Sequence, residues 1–70
     1  MRRTSGTVTW FDAERGHGFA KPEEPGPDVF LHHSGIHGSG LPVLGPGDRI
    51  EFDVVDTEIG PAAEGVVRAR

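Results

Sequence analysis

Two short stretches hold the side chains best suited to chemistry. Arg15-Gly16-His17-Gly18-Phe19-Ala20-Lys21 is followed, after a Pro/Glu/Gly-rich break, by Asp28-Val29-Phe30-Leu31-His32-His33. Each alternates with the two-residue period of a strand. On the first, His17, Phe19 and Lys21 share one face, and Gly18 and Ala20 the other. On the second, Phe30 and His32 share a face, while Val29, Leu31 and His33 share the opposite one, so the two adjacent histidines should point to opposite sides. With the small and aliphatic sets inward, the outer face carries His17, Phe19, Lys21, Phe30 and His32, flat rings beside a cation. Rings offer unpaired bases a surface to stack on and a cation holds backbone phosphate, so this face suits single-stranded nucleic acid.

Other chemistries find less support. The chain shows no nucleophile beside a base, no phosphate loop and no dedicated carboxylate pair, so it does not read as an enzyme. Four histidines, His17, His32, His33 and His37, raise the question of a metal. Their spacing matches no metal motif, and the absence of cysteine removes both a thiolate zinc site and a disulfide framework. No metal and no cofactor is expected.

The elements that must position the two stretches are short strands. Gly 11 and Pro 6 in 70 residues favour tight turns over helices. Gly6-Thr7-Val8-Thr9-Trp10-Phe11 is the first strand, with Val8 and Trp10 on one parity and Phe11 on the other. Alternation alone does not say which of the two adjacent rings is buried. A turn over Asp12–Gly16 leads into the second strand, and Pro22–Pro27 forms an exposed acidic loop. The third strand ends near His32, with room at Ser34-Gly35-Ile36 for one turn of 3₁₀ helix. From His37 to Asp48 runs a long connection anchored by Leu41, Val43 and Leu44, whose length indicates a crossover between two halves of a barrel. Arg49–Val55 alternates most cleanly, with Ile50, Phe52 and Val54 inward. Ile59-Gly60-Pro61 is the last turn, and a fifth strand from Ala63 puts Val66 or Val67 inward. Five short strands without an amphipathic helix predict an all-β, small closed barrel occupying residues 1–70 as one domain.

The charge distribution qualifies the nucleic-acid reading. The net charge is −4, where phosphate binding usually goes with a basic balance. The basic residues Arg2, Arg3, Arg15 and Lys21 nevertheless fall early, and Asp48, Glu51, Asp53, Asp56, Glu58 and Glu64 fall late. A mildly basic face opposite an acidic one follows, with binding driven more by stacking than by phosphate pairing. Arg2 and Arg3 read as a frayed terminus adding local positive charge. No apolar run is long enough to span a membrane, and Met1-Arg2-Arg3 leads into polar residues rather than a signal-peptide core, which makes the cytoplasm the expected compartment.

These residues resemble the bacterial cold-shock proteins. Gly6–Asp12 is similar to the family's opening strand, Arg15-Gly16-His17-Gly18-Phe19 to its first ribonucleoprotein motif, and Val29-Phe30-Leu31-His32-His33 to its second. Ser34-Gly35-Ile36 and Gly60-Pro61-Ala62-Ala63 also fall in order at family spacing. The resemblance implies a five-stranded antiparallel OB-fold barrel that binds single-stranded RNA or DNA, pyrimidine-rich strands preferred, as an RNA chaperone in transcription and translation. It assigns Trp10, Phe19, Phe30 and His32 to stacking or base-contacting positions, turns Trp10 outward with Phe11 toward the barrel, and gives Arg15 a phosphate. Asp28 matches an acidic residue near the base edges. A monomer is expected, with a strand-exchanged dimer as the other possibility.

The departures from the family pattern are chemical. His17 and His33 replace phenylalanines, Leu41 sits at an often aromatic position, Thr7 and Thr9 replace lysines, and Ile59 a basic residue. Asp12 replaces an asparagine, and Ala20 a larger aliphatic. Stacking on a ring is worth roughly 1–3 kcal/mol per base, so these changes predict a weaker binder than a typical member. Because an unperturbed histidine titrates near ~6.5, they also predict tighter binding in mild acid than at neutral pH. A different reading keeps the barrel and gives it a protein partner, met through the acidic surface and the Leu41–Leu44 connection.

Overall fold

β-Branched and aromatic residues between Gly/Pro breaks make strands near where the alternation placed them, although the last begins at Gly60, inside the expected turn, rather than at Ala63. In the computed structural model, which describes residues 2–36 and 44–69, these are β1 (Arg2–Asp12), β2 (His17–Pro22), β3 (Val29–His32), β4 (Arg49–Thr57) and β5 (Gly60–Arg68). They close into a barrel in the order β1-β2-β3-β5-β4. β1 pairs antiparallel with β2 and β4, β2 with β3, and β4 with β5, whereas β3 runs parallel to β5 at Phe30↔Ala62, continued by the Ile36↔Val66 bridge. The five-stranded, mainly antiparallel barrel expected from the sequence is present, with its single parallel contact at this seam. Strands that alternate in direction cannot close a ring of odd number without one parallel contact. The connection after β3 does cross, since it leads to β4, which is not a neighbour of β3.

The interior is aliphatic with one ring at its centre. Val8, Ala20, Val29, Leu31, Leu44, Ile50, Phe52, Ala63 and Val66 are buried, and Phe11, Ile36 and Val54 pack against them. Burying side chains of this kind contributes about 1.5–3 kcal/mol each. Leu44 is an anchor as expected, while Leu41 and Val43 lie outside the described residues. Its segment is clamped to β1, because the Val8 amide donates to the Asp48 carbonyl at 2.9 Å and the Gly47 amide to the Val8 carbonyl at 2.9 Å.

Arg2 and Arg3 are not frayed. β1 reaches back to pair Arg2 with Val54 and Arg3 with Asp53. The Arg3 guanidinium donates to the Gly65 carbonyl at 2.9 Å and lies 3.6 Å from the Asp53 carboxylate. The bond falls at a bulge in β5, between the pairs Glu51↔Val67 and Asp53↔Glu64, where Gly65 takes a φ of 61°. Three backbone steps of β5 there face two of β4, and the extra residue turns a carbonyl toward the arginine.

Candidate nucleic-acid interface

The site begins with an irregularity in β1. Val8 is buried, yet Trp10, of the same parity, is 43% exposed. Simple alternation forbids that combination. The register explains it: Val8 faces Ala20 and Trp10 faces Phe19, so two residues of β1 are spanned by one step of β2. Thr9 is the extra residue of a β-bulge, held by its hydroxyl donating to the Phe19 carbonyl at 3.0 Å. The bulge sends Trp10 outward and leaves Phe11 against the core.

Gly18 makes the close approach beneath Trp10 possible. A Cβ at this position would lie 2.2 Å from the Trp10 carbonyl oxygen and 2.7 Å from the Phe11 Cα. No side chain fits there.

Around Trp10 the rings form one connected row across β1, β2 and β3. Trp10 stands 5.6 Å from His17 and 5.8 Å from Phe19. Phe30 takes up the row, 6.0 Å from His17 with the planes 25° apart, and 5.7 Å from Phe19 edge-on. His32 follows at 6.2 Å and 26° from Phe30. The cross-strand pairs His17↔His32 and Phe19↔Phe30 set this spacing. His17, Phe19 and Phe30 are half-buried, supporting one another while part of each side chain stays exposed.

His33 departs from expectation. β3 ends at His32 and His33 opens a 3₁₀ turn, His33–Gly35, so strand alternation no longer applies to it. Its ring is exposed and lies 4.4 Å from that of His32, on the same side of the barrel. Two contacts put it there. The His33 amide donates to the Gly16 carbonyl at 2.8 Å, and its ring covers Gly16, whose φ is 71° and whose missing Cβ would meet the ring at 2.5 Å. His32 caps the turn: its Nδ1 accepts from the Ser34 amide at 3.3 Å and lies 2.7 Å from the Ser34 hydroxyl. An Nδ1 that accepts carries no proton, which leaves Nε2–H as the donor of the neutral ring.

The charged candidates surround the rings. Lys21 is exposed on β2, continuing the His17–Phe19 face, and Asp28 is exposed immediately before β3. Arg15 is exposed in the turn before β2, its side chain 77% accessible and only loosely paired with Asp12 at 3.9 Å. Asp12 shapes that turn, its Oδ1 accepting from the Glu14 and Arg15 amides at 3.0 and 3.2 Å. All nine residues expected from the sequence, Trp10, Arg15, His17, Phe19, Lys21, Asp28, Phe30, His32 and His33, are at least partly exposed. Six of them form the ring row. Among the described residues, no three His, Asp or Glu come together as a metal would require; His37 lies outside these residues.

Aromatic side chains on the outside of a small closed barrel are a specific combination, and comparison with known proteins agrees with it. The family model of the 'Cold-shock' DNA-binding domain matches residues 4–69. This chain belongs to that family. The major cold shock protein of Micrococcus luteus is 46% identical over 63 residues, covering 90% of this chain and 94% of its own. The cold shock-like protein CspC of Shigella flexneri is 42% identical over 66 residues, covering 94% and 96%. The solved structure of drosophila Unr CSD456 superposes with a TM-score of 0.81 over 99% of this chain at 22% identity, and this chain spans 27% of that one. That likeness establishes the fold. A cold-shock domain is a nucleic-acid-binding protein and not an enzyme.

Sequence reasoning missed the residues that shape the site without touching a ligand. Thr9 is the clearest. Its signal was present: an aliphatic Val8 and an outward Trp10 share a parity, and only an inserted residue reconciles them. On the flank beyond Phe30, formed by β5 and the β4–β5 hairpin, Ile59 and Gly60-Pro61-Ala62-Ala63 carry the family resemblance but no site residue was assigned.

Proposed function

We propose that this cold-shock domain, residues 1–70 acting as one unit, binds single-stranded RNA or DNA by stacking successive bases on Trp10, His17, Phe19 and Phe30. Lys21 and Arg15 hold phosphates along one side of the row. His32, through its Nε2–H, His33 and Asp28 meet base edges. The observation that carries the reading is the continuous ring row, with neighbouring centroids from Trp10 to His32 between 5.6 and 6.2 Å apart and every ring at least partly exposed. Every base has a π-face, so sequence preference is loose, with pyrimidine-rich strands favoured by family resemblance. A monomer holding transcripts unpaired in the cytoplasm would serve as an RNA chaperone.

Trp10 is the only tryptophan and sits in the row, so its fluorescence reports directly. A short oligopyrimidine should quench it, and added salt should partly reverse the quenching. Unchanged fluorescence at high micromolar oligonucleotide would overturn the reading.

A further inference from the structure

A carboxylate stands at one end of the ring row, on the same face as the rings. Beyond the Thr9 bulge β1 runs in regular register with β2, Trp10 opposite Phe19 and Asp12 opposite His17. Asp12 therefore shares the parity of Trp10 and the outer face, while Phe11 between them packs against the core. Directly opposed residues on two strands have Cβ atoms about 4.5–5.5 Å apart, so the Asp12 side chain borders that of His17.

The carboxylate is held in place. Its Oδ1 accepts from the Glu14 and Arg15 amides at 3.0 and 3.2 Å, and the Asp12 carbonyl accepts from the Gly16 amide at 2.7 Å. With Oδ1 so engaged, Oδ2 is the oxygen turned toward Arg15, 3.9 Å from its Nε. Arg15 is one of the two cations beside the rings. The turn thus carries its own rival to phosphate, an anion within reach of the guanidinium before any strand arrives.

We propose that Asp12 is an electrostatic brake on the interface: it holds Arg15 in the free protein, and a backbone phosphate must displace it. The inference rests on the nucleic-acid reading above. A guanidinium makes the same charge-assisted hydrogen bonds to carboxylate and to phosphate, so Arg15 cannot serve both fully. An exposed pair of this kind is worth at most a factor of about five, weak enough for a strand to overcome and large enough to measure.

The test removes the charge and keeps the turn. Asparagine has a side-chain oxygen that accepts from the same two amides, so Asp12→Asn should show the circular-dichroism spectrum of the unmodified protein. Measured by Trp10 quenching with an oligothymidylate at about 20 mM salt, it should bind about three- to fivefold more tightly. The gain should vanish near ~1 M salt, where the Debye length is about 3 Å. Asp12→Ser, whose hydroxyl also accepts, should behave alike. In an Arg15→Gln background Asp12→Asn should gain nothing, because no guanidinium remains to be released, and this failure of additivity marks a coupled pair. Glu14→Gln removes an equal charge from the same turn and should leave affinity unchanged. An unchanged dissociation constant in Asp12→Asn, an equal gain in Glu14→Gln, or a gain that survives Arg15→Gln would overturn the brake while the ring row stands. Failure of every variant and of the unmodified protein to be quenched would overturn both.

Discussion

Phe30 and Phe52 show how the same side chain does opposite work two strands apart. Phe30 touches three rings, those of His17, Phe19 and His32, and remains partly exposed. Phe52 is fully buried at the centre of the barrel. Truncating Phe30 to alanine removes a stacking surface and the support of its neighbours, at a cost to binding of about 1–3 kcal/mol, or roughly 5- to 150-fold in affinity. The urea midpoint of Phe30→Ala should stay near that of the unmodified protein, since its ring contributes little to the core. Truncating Phe52 costs about 3–5 kcal/mol of stability, comparable to all that a core of this size supplies. Phe52→Ala should be unfolded by circular dichroism at room temperature. His17 tests the same logic with the opposite sign. Its ring already lies 25° from the plane of Phe30, so His17→Phe should tighten oligopyrimidine binding, and an unchanged dissociation constant would show that His17 is not a stacking position.

At the scale of elements, the site depends on how β1 and β2 meet. Gly18→Ala places a methyl group against the Trp10 carbonyl and the Phe11 backbone, neither of which is free to move aside. Forcing atoms into such a contact costs about 1–3 kcal/mol, and the strands must part where Trp10 is held. The expected result is lower stability together with a shift in Trp10 emission before any ligand is added. The loop before β4 offers a second test. The Gly45 amide, donating to Asp48 at 2.9 Å, is the main cause of an Asp48 carboxyl pKa below its ordinary 3.8; partial desolvation opposes this, and Arg68 at 3.1 Å adds to the lowering. A carboxyl with a depressed folded-state pKa stabilises fully above its unfolded value, and that stability is lost as pH falls through the folded value. The drop in urea midpoint from about pH 5 to about pH 3 should therefore be smaller in Asp48→Asn than in the unmodified protein. What the sequence revealed about these elements follows from which signals are periodic. Alternation correctly placed β2, β3, the inward set Ile50 and Phe52, and with them Phe19 and Phe30. It failed where periodicity is broken: at Thr9, whose insertion reverses the parity of β1, and at His33, where the strand gives way to a 3₁₀ turn. It also missed the start of β1, because Arg2 and Arg3 are ordered by β4 and a bulge in β5, contacts no local pattern encodes.

The charge of the whole molecule, −4, is low for a protein that holds a polyanion. Three of the described arginines are already engaged with carboxylates. Arg3 is committed to Gly65 and Asp53, Arg49 pairs with Glu23, and Arg68 pairs with Asp48. Lys21 and Arg15 stand beside the rings, and Arg15 is only loosely attached to Asp12. The proposed binding mode therefore draws on ring surface more than on field, and the consequence is measurable. For a single strand the logarithm of affinity falls with the logarithm of salt by about 0.7 per phosphate neutralised, so two cations give a slope of about −1.4. Lys21→Gln should bring it to about −0.7, whereas Arg49→Gln, on a residue already paired, should leave it unchanged. A slope steeper than about −3 would mean at least four neutralised phosphates, more than Lys21 and Arg15 can supply, and would overturn this two-cation reading.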